Sequence, residues 1–149
     1  MRKLLIVAAA VVLAVWYFRK RPAEPVTTSD AAPAVSVGPG CLTEAGNANR
    51  LLADASRLLV NMPVDSGAWS AAESRATQAI ERAESACSGG ATDSERDALA
   101  DAREAISLIR TSLSEAASAA KGAGGFQGAM RQEQIDAKLA SARARLGLR

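Results

Sequence analysis

An uninterrupted apolar run near the N-terminus constrains this chain more than any other feature of its sequence. Residues 4–18 read LLIVAAAVVLAVWYF, 15 apolar or aromatic residues in succession. A soluble helix of this length would carry polar residues on its outer face. Flanking cations can snorkel and bring the run close to the length that spans a bilayer. We therefore predict a transmembrane helix anchored by the apolar side chains Leu4, Leu5, Ile6, Val7, Val11, Val12, Leu13, Trp16, Tyr17 and Phe18.

A cleaved signal peptide is the alternative, because a short basic start before an apolar stretch is typical of one. This run ends in Trp16, Tyr17 and Phe18 and then in three cations, where a cleavage site would have small residues. The prediction is a retained signal anchor over residues 1–21. Three positive charges flank the run on each side, with the α-amino group counted, so charge alone does not orient the anchor.

Residues 22–40 hold four of the five prolines in the chain, among Ala, Ser, Thr and Gly. Such a composition has no periodic apolar face to bury, so we predict a disordered linker. In a polyproline II conformation, at ~3.1 Å per residue, the segment would reach up to ~60 Å.

From residue 41 onward, apolar residues recur with the helical period, and no segment alternates with period two. Proline and glycine clusters after residues 62, 88 and 121 divide this part into four helical segments. Thr92 and Glu95 have the spacing of a capping box at the start of the third. The predicted buried stripes are Leu51, Leu52, Ala55, Leu58, Leu59 and Met62; Trp69, Ala72, Ala76, Ala79, Ile80, Ala83 and Cys87; Ala98, Leu99, Ala102, Ala105, Ile106, Ile109, Leu113, Ala116 and Ala120; and Ile135, Leu139, Ala142 and Leu146.

The fold class predicted from these patterns is all-α. An N-terminal transmembrane helix and a Pro-rich linker precede a small antiparallel bundle of three to four helices. Residues 41–121 are expected to form a three-helix bundle, and residues 122–149 a glycine hinge and a basic amphipathic helix. Short connections favour antiparallel neighbours, and the alanine seams favour close helix packing that leaves little room for a pocket.

The chain has two cysteines, Cys41 at the start of the first helical segment and Cys87 at the end of the second. In an antiparallel pair of equal helices these positions lie side by side, so we predict a disulfide. Disulfides persist outside the cytoplasm. The bridge therefore places the domain on the periplasmic or exterior side of the inner membrane, in a single-pass protein. Reduced cysteines would instead indicate a domain facing the cytoplasm.

Charge is distributed unevenly around the predicted hinge. Residues 41–120 carry 7 cations and 12 anions, whereas residues 121–149 carry 6 cations and 2 anions. Arg131, Lys138 and Arg145 follow one another at seven-residue steps. We predict that the last helix docks on the acidic body through its apolar stripe and leaves these three cations at the rim as candidate partner-binding residues. The alternative is a detached basic arm that binds an acidic partner or an anionic membrane.

The sequence offers little for catalysis or for nucleic-acid binding. It contains no histidine, the commonest general base and metal ligand, and its two cysteines match no metal motif. Acidic and basic neighbours such as Asp101 and Arg103 are interpreted as a solvated helix face. From residue 41 the net charge is near zero, which does not favour nucleic acid. We predict no cofactor, no metal, no small-molecule substrate and no enzymatic activity.

These observations favour a membrane-anchored helical protein of the cell envelope that serves structure or protein interaction. Its expected partners are the membrane, through the N-terminal helix, and a protein, with a second copy of the chain as one candidate. The alternative function is that of a phage or viral membrane protein, either a lysis factor or a component of a virion membrane.

Overall fold

The computed structural model describes residues 37–60, 63–89, 91–93 and 95–148. Within these ranges the chain forms four α-helices and no strand, which confirms the all-α prediction for this part. The predicted anchor and residues 22–36 of the predicted linker lie outside the described residues. None of the described helices has both the length and the apolar character needed to cross a membrane. The helices are α1 (Val37–Arg57), α2 (Ser66–Ala86), α3 (Arg96–Ala120) and α4 (Gly128–Arg145), with a 3-10 turn, Leu58–Val60, after α1.

The first helix begins at Val37, so the prediction that residues 37–40 belong to the linker is wrong. Pro39 lies in the first turn of α1, where its missing N–H would have no partner within the helix anyway. Its carbonyl accepts a hydrogen bond from Thr43 Oγ1 at 2.8 Å. Proline at this position is therefore compatible with the start of a helix, although it resembled linker composition in the sequence.

Local side-chain and glycine chemistry defines four of the other helix ends. Asp65 caps α2 by accepting a 2.6 Å hydrogen bond from the N–H of Ala68. The Glu95 carboxylate accepts from the N–H of Thr92 at 3.2 Å, one of the two bonds of the predicted capping box. Gly122, with φ of 75°, and Gly147, with φ of 67°, follow α3 and α4 in the left-handed conformation that ends a helix.

The predicted stripes form the core of the bundle. Every residue of the α2 stripe is buried, and so is every residue of the α3 stripe except Ala120, which is half-buried. In the first stripe, Leu52 and Ala55 are buried. Leu51 of α1 and Leu58 and Leu59 of the 3-10 turn are half-buried, and Met62 lies outside the described residues. The stripe of α1 also extends toward the N-terminus through four buried residues that lie within the predicted first segment but that the sequence analysis left out of the stripe: Cys41, Leu42, Ala45 and Ala48.

The fourth helix packs against α3 and α1 and is not a detached arm. Ile135, Leu139 and Ala142 are buried in the same core cluster as the stripes of α1, α2 and α3, and Leu146 is half-buried against it. The docking prediction is therefore confirmed.

The connections place features at two opposite ends of the bundle. At the first, which we call the disulfide end, α1 and α3 begin and α2 and α4 end. At the second, the loop end, lie the connections 58–65 and 121–127. A smaller core cluster around Trp69 and Ala116 closes the loop end. The Trp69 indole is 5% exposed and donates its N–H to Glu73 at 2.9 Å, so its polar edge is satisfied.

Candidate functional site

The predicted disulfide between Cys41 and Cys87 is present, with an S–S distance of 2.05 Å and a Cα–Cα distance of 4.7 Å. Cys41 lies in the second turn of α1, and Cys87 is the C-terminal cap of α2. Both side chains are buried, at 0% and 1% exposure. The bridge therefore joins the first two helices within the core.

Arg103 connects α3 to the end of α2 that carries the disulfide. Its guanidinium donates two hydrogen bonds, of 2.9 and 2.7 Å, to the backbone carbonyl of Cys87. Carbonyls at the end of a helix have no partner within that helix, so a cation there is favourable. About two helical turns further along α3, the Arg110 guanidinium forms a salt bridge with the Glu84 carboxylate of α2, with an N–O distance of 2.6 Å. The disulfide end is thus held by a covalent bond and by ionic contacts from a third helix.

The three predicted partner-binding cations of α4 all contact carboxylates of α3. Arg131 lies 2.8 Å from Glu115, and Lys138 lies 2.6 Å from Glu104. Arg145 lies 3.0 Å from Asp101 and 3.1 Å from Asp97. Partner binding through these cations stays a prediction, and each cation would have to exchange an intramolecular carboxylate for one on the partner.

Asp101 is the centre of this ionic seam, and its side chain is only 15% exposed. The prediction that it belongs to a solvated face is therefore wrong. A hydrogen bond from the Ser141 hydroxyl, at 2.7 Å, is the main reason that the pKa of Asp101 lies below its usual value. Arg145 and Lys138 lower it further, and desolvation opposes them. The pKa of Lys138 is raised, chiefly by its hydrogen bond to Glu104.

A second polar seam, which the sequence analysis missed, joins α1 to α4. Asn49 donates to Asp136 at 2.8 Å and accepts from Gln132 at 2.8 Å. Gln132 also donates to Asp136, at 3.2 Å. Single amides spaced along two different helices carry no local sequence signal, so only their juxtaposition in the bundle reveals the network.

A groove of about 730 Å³ opens at the loop end between α1, α3 and the start of α4. The expectation that alanine seams leave little room for a pocket is wrong at this end. The seams pack closely along the helices, but glycines and alanines around the 121–127 connection leave space beside them. The groove is lined by Leu52, Ala53, Ser56, Arg57, Leu59, Val60, Ser112, Ala119, Gly122, Gly124, Phe126, Gly128, Ala129 and Gln132.

Ser112, in the lining of this groove, is 1% exposed, and its hydroxyl has no hydrogen-bond partner. A buried hydroxyl without a partner costs about 1–3 kcal/mol, so it is an uncommon feature in a helix core. Some other helical hydroxyls bond to the carbonyl four residues earlier, as Ser56 does to Leu52 and Thr111 does to Ser107. Ser112 makes no such bond although it is buried.

The described residues hold no group of three or more His, Cys, Asp or Glu side chains placed to bind a metal ion. The predicted anchor residues, from Leu4 to Phe18, lie outside the described residues. The features that the structure brings together are thus the disulfide end, the ionic and polar seams of α4, and the loop-end groove. Compared with known proteins, the chain matches no family model, no curated protein and no solved structure.

Proposed function

We propose that the chain is a non-enzymatic, membrane-anchored helical protein of the cell envelope, with its helical domain outside the cytoplasm. The domain serves as a structural or protein-interaction module. The observation that carries this proposal is the buried Cys41–Cys87 disulfide, taken together with the apolar run at residues 4–18.

The disulfide supports the orientation. A bridge between two helices of one bundle persists in an oxidising compartment and is rarely retained in the cytosol. The apolar run supports the tether, since 15 apolar residues with cations at both ends suit a short signal anchor. A domain beyond the membrane then follows from the two features together.

The ionic contacts between α4 and α3 favour a structural or protein-interaction role over an enzymatic one. Asp101, Glu104 and Glu115 are each engaged by a cation of α4. Carboxylates used in this way hold helices together and are not poised to transfer protons. A protein partner, including a second copy of the chain, would dock on an outer face of the bundle.

The orientation is tested by trapping the thiols of intact cells with acid and alkylating them before and after reduction. We expect Cys41 and Cys87 to resist alkylation until a reductant is added. Two cysteines that are alkylated without reductant would contradict the proposed location.

The tether is tested by carbonate and high-salt washing of membranes that contain the full chain. Val12→Asp places a charge in the middle of the apolar run, at a cost of about 2.5–3.5 kcal/mol to insertion. Val26→Asp makes the same change in the predicted linker and is the matched control. We expect the wild type and Val26→Asp to stay in the membrane fraction and Val12→Asp to be lost from it. A soluble wild-type product that begins between residues 23 and 35 would contradict the anchor.

A further inference from the structure

The α4 helix is joined to the body formed by α1, α2 and α3 through one connection, residues 121–127. The disulfide links α1 to α2, so it does not hold α4. The contacts that do hold α4 are its buried apolar stripe, the ion pairs with α3 and the polar seam with α1. All of these contacts join α4 to side chains of the body. The α4 helix of a second copy of the chain could therefore make the same contacts.

The connection before α4 contains a turn that only glycine adopts readily. Gly122 and Gly124 have φ of 75° and 95°, in the region that residues with a Cβ rarely occupy. The N–H of Gly122 donates to the Ala119 carbonyl, and the N–H of Ala123 donates to the Ser118 carbonyl, both at 2.9 Å. These bonds use carbonyls of the last turn of α3 and end that helix. The chain can therefore reverse and lay α4 along its own α3.

The reversed connection needs a third glycine where α4 begins. The Phe126 ring folds over Gly128, and a Cβ at Gly128 would overlap the ring. Phe126 packs against the smaller core cluster at the loop end, so moving the ring aside would disturb that cluster. Gly125 differs, because its φ is not positive and a Cβ there would meet nothing within 4 Å. The closed turn thus requires glycine at Gly122, Gly124 and Gly128 but not at Gly125.

From these observations we propose that the glycine turn selects the partner of α4. In the closed turn, α4 packs on the α3 of its own chain. When the turn straightens into a helix, α3 and α4 become continuous, and α4 packs on the α3 of a second copy in a domain-swapped dimer. Because α3 and α4 are antiparallel, the two bodies then lie end to end with their loop ends facing each other. The inference does not rest on the membrane tether, because every residue it uses belongs to the helical domain.

The balance between the two states depends on the turn and on protein concentration, because both states share the contacts of α4 with a body. Glycine favours the closed state twice over. It accepts the positive φ angles of the turn, and it is among the weakest helix formers, so it disfavours a continuous helix. Alanine at the required positions should therefore shift the balance toward the swapped dimer.

The first test measures self-association of the full chain in detergent by sedimentation equilibrium. Two hinge variants, Gly122→Ala/Gly124→Ala and Gly128→Ala, oppose the closed turn, whereas Gly125→Ala adds the same methyl group where the turn accepts it. We expect both hinge variants to dimerise at concentrations at least about tenfold below the wild type, because a Cβ strains only the closed state. Gly125→Ala should stay close to the wild type. The N-terminal segment is identical in all four proteins, so any association through it cancels in the comparison.

The second test shows whether the dimer exchanges α4. Glu104→Lys and Lys138→Glu each convert the 2.6 Å pair between these residues into two like charges. Both are made in the Gly122→Ala/Gly124→Ala chain and then mixed and refolded together. A swapped dimer with one chain of each kind has opposite charges at both copies of the contact, whereas either chain paired with itself has like charges at both. With one chain labelled with ¹⁵N, native mass spectrometry should find mixed dimers above the proportion of about one half that random pairing gives.

Three outcomes would overturn the proposal. The first is a pair of hinge variants that keep the helical circular dichroism signal of the wild type and dimerise no more readily than Gly125→Ala. The second is a mixed dimer at the random proportion, since α4 would then remain on its own chain. The third is loss of the helical signal in both hinge variants, which would show that the turn is needed for folding and does not select the partner of α4.

Discussion

The Cα atoms of Cys41 and Cys87 lie 4.7 Å apart, with 46 residues of separation in sequence between them. Closing a loop of this length is worth about 4 kcal/mol on the chain-entropy estimate. We expect the double variant Cys41→Ser/Cys87→Ser to melt roughly 10 °C or more below the wild type, as measured by circular dichroism.

Reductant provides the control for this comparison. The wild type with reductant should melt near the double variant, and the double variant itself should not respond to reductant. Equal melting temperatures for the oxidised wild type and the double variant would contradict a stabilising bridge.

Leu139 tests how much the docking of α4 contributes. Its side chain is 3% exposed in the core, whereas Met130 on the same helix is 66% exposed. Leu139→Ala should lower the free energy of unfolding by about 2–4 kcal/mol, because it leaves a cavity among buried neighbours. Met130→Ala truncates a side chain of similar size that is exposed to solvent, so it should change the free energy of unfolding by less than about 0.5 kcal/mol.

Removing the whole of α4 by truncation at Gly124 should destabilise the domain further, since it exposes the stripes of α1 and α3. Denaturant unfolding measures all three changes. A truncated chain as stable as the full one would show that α4 contributes nothing to the core.

Asp101 makes stability depend on pH on the acid side. Its pKa is lower in the folded protein than in the unfolded chain, where it is about 3.9. The contribution is therefore fully present above the unfolded value and is lost as the pH falls through the folded value. Asp101→Asn should lower stability at pH 7 by about 1–2 kcal/mol, because the Ser141 and Arg145 contacts lose their charged acceptor.

This difference in stability between the wild type and Asp101→Asn should be fully present at neutral pH. It should be smallest at the lowest pH at which both proteins fold. Glu133→Gln, at an exposed position of α4, is the matched exchange and should leave the acid limb of the curve as in the wild type. Parallel acid limbs for the wild type and Asp101→Asn would contradict this role for Asp101.

Lys138 makes stability depend on pH on the alkaline side. Its pKa is raised by Glu104 and Asp101, so its contribution is present below the unfolded value of about 10.4 and is lost as the pH rises through the folded value. Lys138→Met should flatten the decline of the melting temperature in this alkaline range. Because Lys138 also lowers the pKa of Asp101, the acid limb should become slightly shallower as well. If the melting temperature of Lys138→Met declines as steeply at alkaline pH as that of the wild type, Lys138 does not contribute to the alkaline pH dependence.

Two glycines in the first turns of α1 should respond oppositely to alanine. A Cβ at Gly40 would meet nothing within 4 Å, whereas a Cβ at Gly38 would lie 2.6 Å from Leu146 Cδ1. Gly40→Ala should raise the free energy of unfolding by up to about 1 kcal/mol through helix propensity. Gly38→Ala should not, because the added methyl group displaces Leu146. Equal gains from the two variants, measured by thermal melting, would contradict the contact between the start of α1 and the end of α4.

The stripes of α2 and α3 show what a local pattern is able to predict. Each combines a long helical period with strong end signals, such as Asp65 before α2 and Gly122 after α3. The pairing of Cys41 with Cys87 followed from the same information, because two equal helices joined by a short connection bring their far ends together. The start of α1 was missed, since Gly38, Pro39 and Gly40 resemble linker composition and only the helix context reveals their conformation.

By itself, the sequence determined the helical class, the four helical segments, the cysteine pair and the apolar faces, because each depends on spacing within one segment. Tertiary structure alone decided which carboxylates meet Arg131, Lys138 and Arg145, and that Arg103 reaches the Cys87 carbonyl. It also decided that a groove opens beside Ser112 at the loop end. These features depend on the register between helices distant in sequence, and that register is set by how all four apolar stripes pack at once.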